Sequence, residues 1–375
     1  MSAHASPNII TDGLVFLYDT DDGKSYKGEP TTNLNPFTLS DSGTDGSGQS
    51  SVGTRTVISD NYVRIVDAAS NTRQTHVITG LTASTTYTIS IGYKKLVGTP
   101  TFRFQIQDYS GSSYLRTIKF TNTNEIGIED KEGWQLASWT FTLGSDANAV
   151  RIWYQDGADY TTYTHSFELQ NPQLEAKSHA TPYVDGTRSA TQGLIDRTGT
   201  STIDISNASF DSNAQMSFDG TDDIINTGLF SGRNPSTDPF TVEAVVRSDV
   251  TSGSKIWVDA TSNGSSQRFY SALIDSTSHA IGIQGSAWSD PTPGDTNWHH
   301  QVIVMDGSTA KAYNNGELAS SKSYTSYTLA GGLNIGGRSG YNWVGQIPIF
   351  KIYDRALTAA EVAQNFTSIK SRFQL

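Results

Sequence analysis

The chain has 375 residues, no cysteine, and a formal net charge of −11 with a pI near 5.0. An acidic chain without Lys/Arg clusters excludes nucleic-acid binding, which needs a basic stripe for phosphates, and the lack of cysteine excludes disulfide frameworks, thiolate catalysis and Cys-ligated zinc. Apolar residues make up 35%, mean hydropathy is −0.40 and there are 34 glycines, the composition of short strands, many turns and thin antiparallel sheets with one wet face.

The N-terminal Met1-Ser-Ala-His-Ala-Ser-Pro7 has neither a charged n-region nor an apolar h-region. No apolar run approaches the roughly 20 residues of a membrane helix. The expectation is a protein made without Sec-type export or membrane insertion.

The first predicted strand is Leu14-Val-Phe-Leu-Tyr18, inside the turn-rich segment Asp12–Gly28. A different segment begins at Thr31 and runs to 184. It carries the alternating stretches Thr86–Tyr93, Thr101–Gln107, Ser138–Thr142 and Ala149–Tyr154, and closes on Ser166–Glu175, read as a last strand pair. Period-two alternation puts Phe102, Phe104 and Ile106 on one face and Arg103, Gln105 and Gln107 on the other.

Strands resume after residue 193, at Ala214–Phe218, Phe240–Val246, Ala280–Gln284, His299–Met305, Thr309–Asn314, Gly332–Gly336 and Gly345–Tyr353. Asp306-Gly307 and Asn315-Gly316 mark hairpin turns that need positive φ. At the end, Thr358 with Glu361 forms a capping box, and Leu357 with Val362 a hydrophobic staple. The predicted C-terminal helix then shows Val362, Phe366, Ile369 and Phe373 on one face.

Several phrases resemble the concanavalin A-like, laminin-G-like lectin/glucanase superfamily. They are Phe218-Asp-Gly-Thr-Asp-Asp-Ile-Ile225, Phe240-Thr-Val-Glu243, Asn297-Trp-His-His-Gln-Val302, Ala312-Tyr-Asn-Asn-Gly316 and Gly345–Thr358. Gly13–Asp19 with Lys24–Gly28 resembles the first strand of the same domain in bacteriophage structural proteins, where it runs almost directly into a segment like Leu194–Gly199. The intervening part is similar to carbohydrate-binding-module jelly rolls through Asn33–Pro36 and Asn171–Tyr183.

The resemblance implies an all-β chain of two antiparallel jelly rolls plus a short C-terminal helix. Residues 1–30 and 185–375 form a discontinuous laminin-G-like sandwich, and 31–184 form a carbohydrate-binding-module-like insert whose two ends emerge side by side. It further implies a virion protein of capsid-decoration or tail-fibre type, made in the host cytoplasm. Its partners are other virion proteins and host-surface polysaccharide, and it acts as a homo-oligomer or multi-copy array. No enzymatic activity is expected. A purely structural assembly role, and a glycan depolymerase, are the alternatives.

Aromatic side chains are the common tool for the apolar face of a sugar, and the candidates are Trp288, Tyr341, Trp343, Trp257, Trp153 and Tyr154. Asp219, Asp222 and Asp223 lie in one turn and suit calcium, which takes oxygen ligands; Asp19, Asp21 and Asp22 form a second acidic turn. Calcium is the one candidate cofactor. Glu125 and Glu129 could pair on a strand as in retaining glycosidases, but Gly127 stands between them where glucanases of this fold carry Asp. His299 and His300 begin a strand, one facing inward and the other outward.

Overall fold

The computed structural model describes residues 8–37, 39, 54–68, 73–97, 102–111, 113–122, 132–156, 165–211, 215–260, 269–284, 286–329 and 331–375. It divides into two compact units: Met1–Pro30 with Ser189–Leu375, and Thr31–Arg188. Both are built from antiparallel sheets, and the described residues are all-β apart from two helices, Ala190–Gly193 and Ala359–Phe373. Among the described residues no helix is long and apolar enough to cross a membrane.

In the unit Thr31–Arg188 a five-stranded sheet (Thr54–Ser59, Tyr62–Ala68, His165–Glu175, Thr86–Val97, Trp134–Thr142) packs on a four-stranded one (Arg73–Thr79, Ala149–Asp156, Phe102–Ser110, Ser113–Asn122). Its core gathers Val63, Ile89, Tyr93, Ile106, Ile152 and Phe167. Ile106 is buried as the alternation requires, while the side chains of Phe102 to Gln105 lie outside the described residues. The closing segment is one strand and not a strand pair. Asn171, at φ 55°, and Pro172 interrupt its register between Gln170 and Gln173, a local bulge that redirects the strand without ending it. Thr31–Thr32 pair with Thr187–Arg188, so this unit runs to Arg188 and not to 184.

The other unit is a sandwich of an eight-stranded and a six-stranded sheet. The eight-stranded sheet runs Ser209–Phe210, Met216–Asp219, Val344–Tyr353, Phe240–Ser248, Trp298–Met305, Thr309–Asn314, Glu317–Ser323, with Leu14–Asp19 also on Val344–Tyr353. The N-terminal strand, some 330 residues away in sequence, thus completes the sheet: Phe16 pairs with Ile352 and Tyr18 with Phe350. Its free edge is closed by Asp196, which accepts the Leu17 N–H at 3.0 Å, while Arg197 donates its N–H to Leu17 O.

Asn315 and Gly316 take φ values of 50° and 82°, the primed-turn geometry that the Asn-Gly pair favours. One expectation from composition fails here. The strands Phe240–Ser248, Trp298–Met305 and Val344–Tyr353 are buried almost throughout, on both faces. Val242, Ala244 and Phe350 face the sandwich core, whereas Val245, Ile349, Val302 and Val304 face the C-terminal helix.

That helix starts with the capping box. Thr358 Oγ1 accepts the Glu361 N–H and Glu361 Oε2 accepts the Thr358 N–H at 2.8 Å, while Leu357 and Val362 share a cluster. Arg355 clamps the Glu361 carboxylate and holds its pKa down to about 2. Thr358→Ala is expected to cost about 1 kcal/mol, read as a lowered denaturation midpoint with unchanged m-value. The buried helix face is Val362, Asn365, Ile369 and Phe373. Asn365 takes the central place expected for Phe366, because its amide serves a buried polar network and Phe366 instead stacks on the His300 ring.

Candidate functional site

The six aromatic candidates separate sharply. Trp257 and Trp343 are 0% and 1% exposed and belong to the sandwich core. No sugar can stack on them, which corrects the expectation for both: a Trp beside polar turn residues turns inward when its strand parity faces the other sheet. Trp288 is half-buried against that core, and its Nε1 donates to Ser320 Oγ at 3.1 Å with the Lys322 ammonium 5.8 Å from its ring. It seals the seam between the strands Ser286–Asp290 and Glu317–Ser323. Trp153 and Tyr154 lie on the strand Ala149–Asp156, but their side chains fall outside the described residues, as do Glu125, Gly127 and Glu129.

Tyr341 alone of the six is a described, exposed ring, at 44%. It ends the loop Gly336-Gly-Arg-Ser-Gly-Tyr341, which lies along the strand Lys255–Asp259. Ile256 donates its N–H to Tyr341 O at 2.9 Å, and Gly336 donates to Trp257 O at 3.0 Å. Gly337 makes that approach possible. At φ 101°, a Cβ there would stand 2.7 Å from Ile256 O and 2.8 Å from Tyr341 O.

The loop carries Arg338, whose guanidinium lies 5.0 Å from the Tyr341 ring and 5.8 Å from the Tyr270 ring. Beneath it, Asn334, Asp259 and Tyr270 stand in register on three adjacent strands. Ile335 and Phe269, their chain neighbours, point into the core, so this row belongs to the outer face of the six-stranded sheet. Tyr270 lies down on the next strand because Gly282 opposes it; a Cβ at 282 would run into its ring. Asp259 is fully buried and 3.9 Å from Arg338. The cluster therefore offers a ring for apolar contact, a cation and the Asn334 amide on one face of the sheet. Among its members only Tyr341 was singled out by the sequence; Arg338 within a Gly-Gly-Arg-Ser-Gly loop was the missed signal.

Asp219, Asp222 and Asp223 do come together. One carboxylate oxygen from each lies within 4.8 Å of the others, and this is the one grouping of three potential metal-binding side chains among the described residues. Asp219 and Asp222 are exposed, whereas Asp223 is buried and accepts from the Ser209 hydroxyl at 3.3 Å and from the Asp219 N–H. Burial raises the Asp223 pKa to about 6 against those bonds. The Lys255 ammonium stands 3.6 Å from the position a Cβ on Gly220 would take. Three carboxylates suit calcium, but two of the three make hydrogen bonds within the loop itself.

The second acidic turn is spent on structure. Asp19 and Asp21 bind Arg372 of the C-terminal helix at 2.6 to 2.9 Å. Asp19 and Asp22 border a cavity of about 560 Å3 lined also by Ile9, Leu14, Leu17 and Arg197. His299 faces inward between Asp295 (2.9 Å) and Asn314 (3.2 Å), and His300 faces outward under the helix. There, Glu243 Oε1 accepts from Lys351 Nζ at 2.6 Å and lies 3.0 Å from His300 Nε2, while Asn365 Nδ2 donates to Glu243 Oε2 at 2.6 Å. All four side chains are buried. The sequence signal for this network was Glu243 between Val242 and Ala244, and Lys351 between Phe350 and Ile352.

Comparison with known proteins bears on the same region. Residues 219–363 match the family model of the concanavalin A-like lectin/glucanases superfamily. The matched region contains Asp259, Tyr270, Asn334, Arg338 and Tyr341. No curated protein matches the chain.

Among solved structures, the chain is similar to the CBM40 of the Ruminococcus gnavus IT-sialidase bound to α2,3-sialyllactose (13% identity, 34% of this chain and 80% of that one, TM-score 0.30). It is also similar to domain 4 of an extracellular arabinanase from Geobacillus stearothermophilus with arabinotriose (16%, 47% and 92%, TM-score 0.35). A third is a heptameric pentraxin from Limulus polyphemus (19%, 39% and 78%, TM-score 0.31).

Proposed function

We propose that the protein is a non-catalytic, glycan-binding virion protein of a bacteriophage, displayed in many copies as a capsid decoration or tail-fibre component. The observation that carries the glycan-binding part is the surface cluster of Tyr341, Arg338 and Tyr270 on the lectin-like domain. An exposed ring gives a pyranose its apolar platform, and adjacent polar groups take its hydroxyls. One such shallow site binds weakly, so many copies on one particle supply the avidity. The virion reading rests on the resemblance of Gly13–Gly28 to phage structural proteins. Immuno-electron microscopy of particles from the host that carries the gene tests it.

The binding test is a glycan array with the full chain and Tyr341→Ala. Loss of at least tenfold in apparent affinity is expected, with stability changed by no more than about 0.5 kcal/mol, as for other exposed sites. An array without a single bound glycan would favour the purely structural assembly role.

Asp219, Asp222 and Asp223 are proposed as the calcium-binding loop of the same domain, supplying a divalent clamp on the turn. The raised Asp223 pKa means that the folded state holds this proton more tightly than the unfolded chain. Its carboxyl therefore removes stability as pH rises from about 4 through about 6. Asp223→Asn is expected to flatten that part of the stability profile. Millimolar calcium, compared with EDTA at pH 7, is expected to raise the midpoint of the natural protein and not of the variant.

A further inference from the structure

We infer that the Arg338 loop recognises sugars bearing a carboxylate, such as hexuronates or sialates. This rests on the reading of the loop as a glycan site and specifies its ligand.

A guanidinium has five N–H donors in a rigid fork matched to a carboxylate. Among the described residues Arg338 makes no side-chain hydrogen bond. Its acidic neighbour, Asp259, stands at 3.9 Å, beyond hydrogen-bond reach, and is fully buried. The cation is held in place by two tyrosine rings. Ring contact fixes a guanidinium through its faces and leaves its N–H edge for other partners. Other arginines of this unit are spent: Arg372 on Asp19 and Asp21, Arg355 on Glu361, and Arg233 on three backbone carbonyls.

The neighbouring polar groups are also unspent. Asn334 Oδ1 and both polar atoms of Asn342 are buried with no hydrogen-bond partner among the described residues. Buried amides ordinarily find partners, so Asn334 keeps hydrogen-bonding capacity in the row beneath the cation. Asn334 pairs with Asp259 across the sheet, and Asn342 directly follows the exposed Tyr341. Ring, fork and the Asn334 amide together match a sugar ring, its carboxylate and a hydroxyl. The chain's net charge of −11 opposes non-specific adsorption of polyanions, so retention of an acidic polymer reports on a specific cation.

The test measures binding of the full chain to polygalacturonate and to polysialic acid, each beside its carboxyl-reduced, neutral form. Expected is binding to one or both acidic polymers, lost at least tenfold on carboxyl reduction. Arg338→Gln is expected to lose the same tenfold, and Arg338→Lys to lie between, since it keeps the charge without the fork. Tyr341→Ala, an exposed-site change, serves as the second variant, and an unchanged melting midpoint guards against misfolding. Which polymer binds distinguishes hexuronate from sialate.

Equal binding of the reduced polymers, retention by Arg338→Gln, or no binding to either acid overturns the inference. If the glycan array is positive for neutral sugars in those cases, the glycan-binding function stands and only the acidic specificity falls. If the array is blank as well, both fall.

Discussion

Lys351→Met is expected to destabilise the fold by about 3–5 kcal/mol, the usual cost of removing one partner of a buried ion pair. Lys351 and Glu243 pair directly across adjacent strands, and both are about 1% exposed. Burial on its own would raise the Glu243 carboxyl. The Lys351 ammonium and the His300 hydrogen bond outweigh it and hold the carboxyl well below the usual range. Methionine leaves that carboxylate in the sheet with its main counter-charge gone.

The double change Glu243→Gln with Lys351→Met is expected to recover a large part of the loss, because no buried charge then remains. Urea midpoints of the two single variants and the double variant measure this. The same depressed pKa fixes a pH direction. Glu243 contributes stability that is fully present above the carboxylate range of the unfolded chain and is lost as pH falls from about 4.5 towards about 2. Acid titration of the natural protein should show this decline, and the double variant should lack Glu243's share of it.

Trp343→Ala is expected to cost about 3–5 kcal/mol, as for other large-to-small changes in a packed core. Trp343 is 1% exposed among Phe218, Trp257, Ile335 and Ile347 of the same cluster. Its Nε1 has no hydrogen-bond partner among the described residues, so Trp343→Phe should cost clearly less, losing area but no bonded group. The contrast with Tyr341→Ala separates core from surface two positions apart. One change should lower the thermal midpoint and the other glycan affinity. Sugar binding that fell in Trp343→Ala at fully folded conditions, with an unaltered midpoint, would refute the core assignment.

Local features of this chain were legible in the residues because they depend on short-range chemistry. Period-two alternation and Gly-rich turns marked strands such as Leu14–Asp19, Ala149–Asp156, Phe240–Ser248, Trp298–Met305 and Val344–Tyr353 within a few residues, but not Thr54–Ser59, Tyr62–Ala68, Arg73–Thr79, Lys255–Asp259 or Phe269–Asp275. Thr358 and Glu361 announced the start of the helix, since a cap needs only an oxygen and a backbone N–H three residues apart. The acidic turn at Asp219–Asp223 brings its carboxylates together for a similar reason: five residues of one turn have little room to separate.

What the sequence left open depended on which residues meet across the sheets. Trp288, Tyr341 and Trp343 all stand among polar turn residues, yet one seals a seam, one is exposed and one is core; strand parity and the facing sheet decide. Asn365 occupies the helix position where an apolar residue was expected because Glu243 lies beneath it, 122 residues away. Arg338 was silent in the sequence. Its 3.9 Å separation from Asp259, its two ring contacts and its row of neighbours on the outer sheet face arise only when the loop at 336–341 lies along Lys255–Asp259. The sequence by itself determined the all-β class, the helix cap and the acidic turn, because these follow from spacing along the chain. The tertiary structure alone decided which aromatics and charges reach the surface, because exposure is a property of what packs on each face.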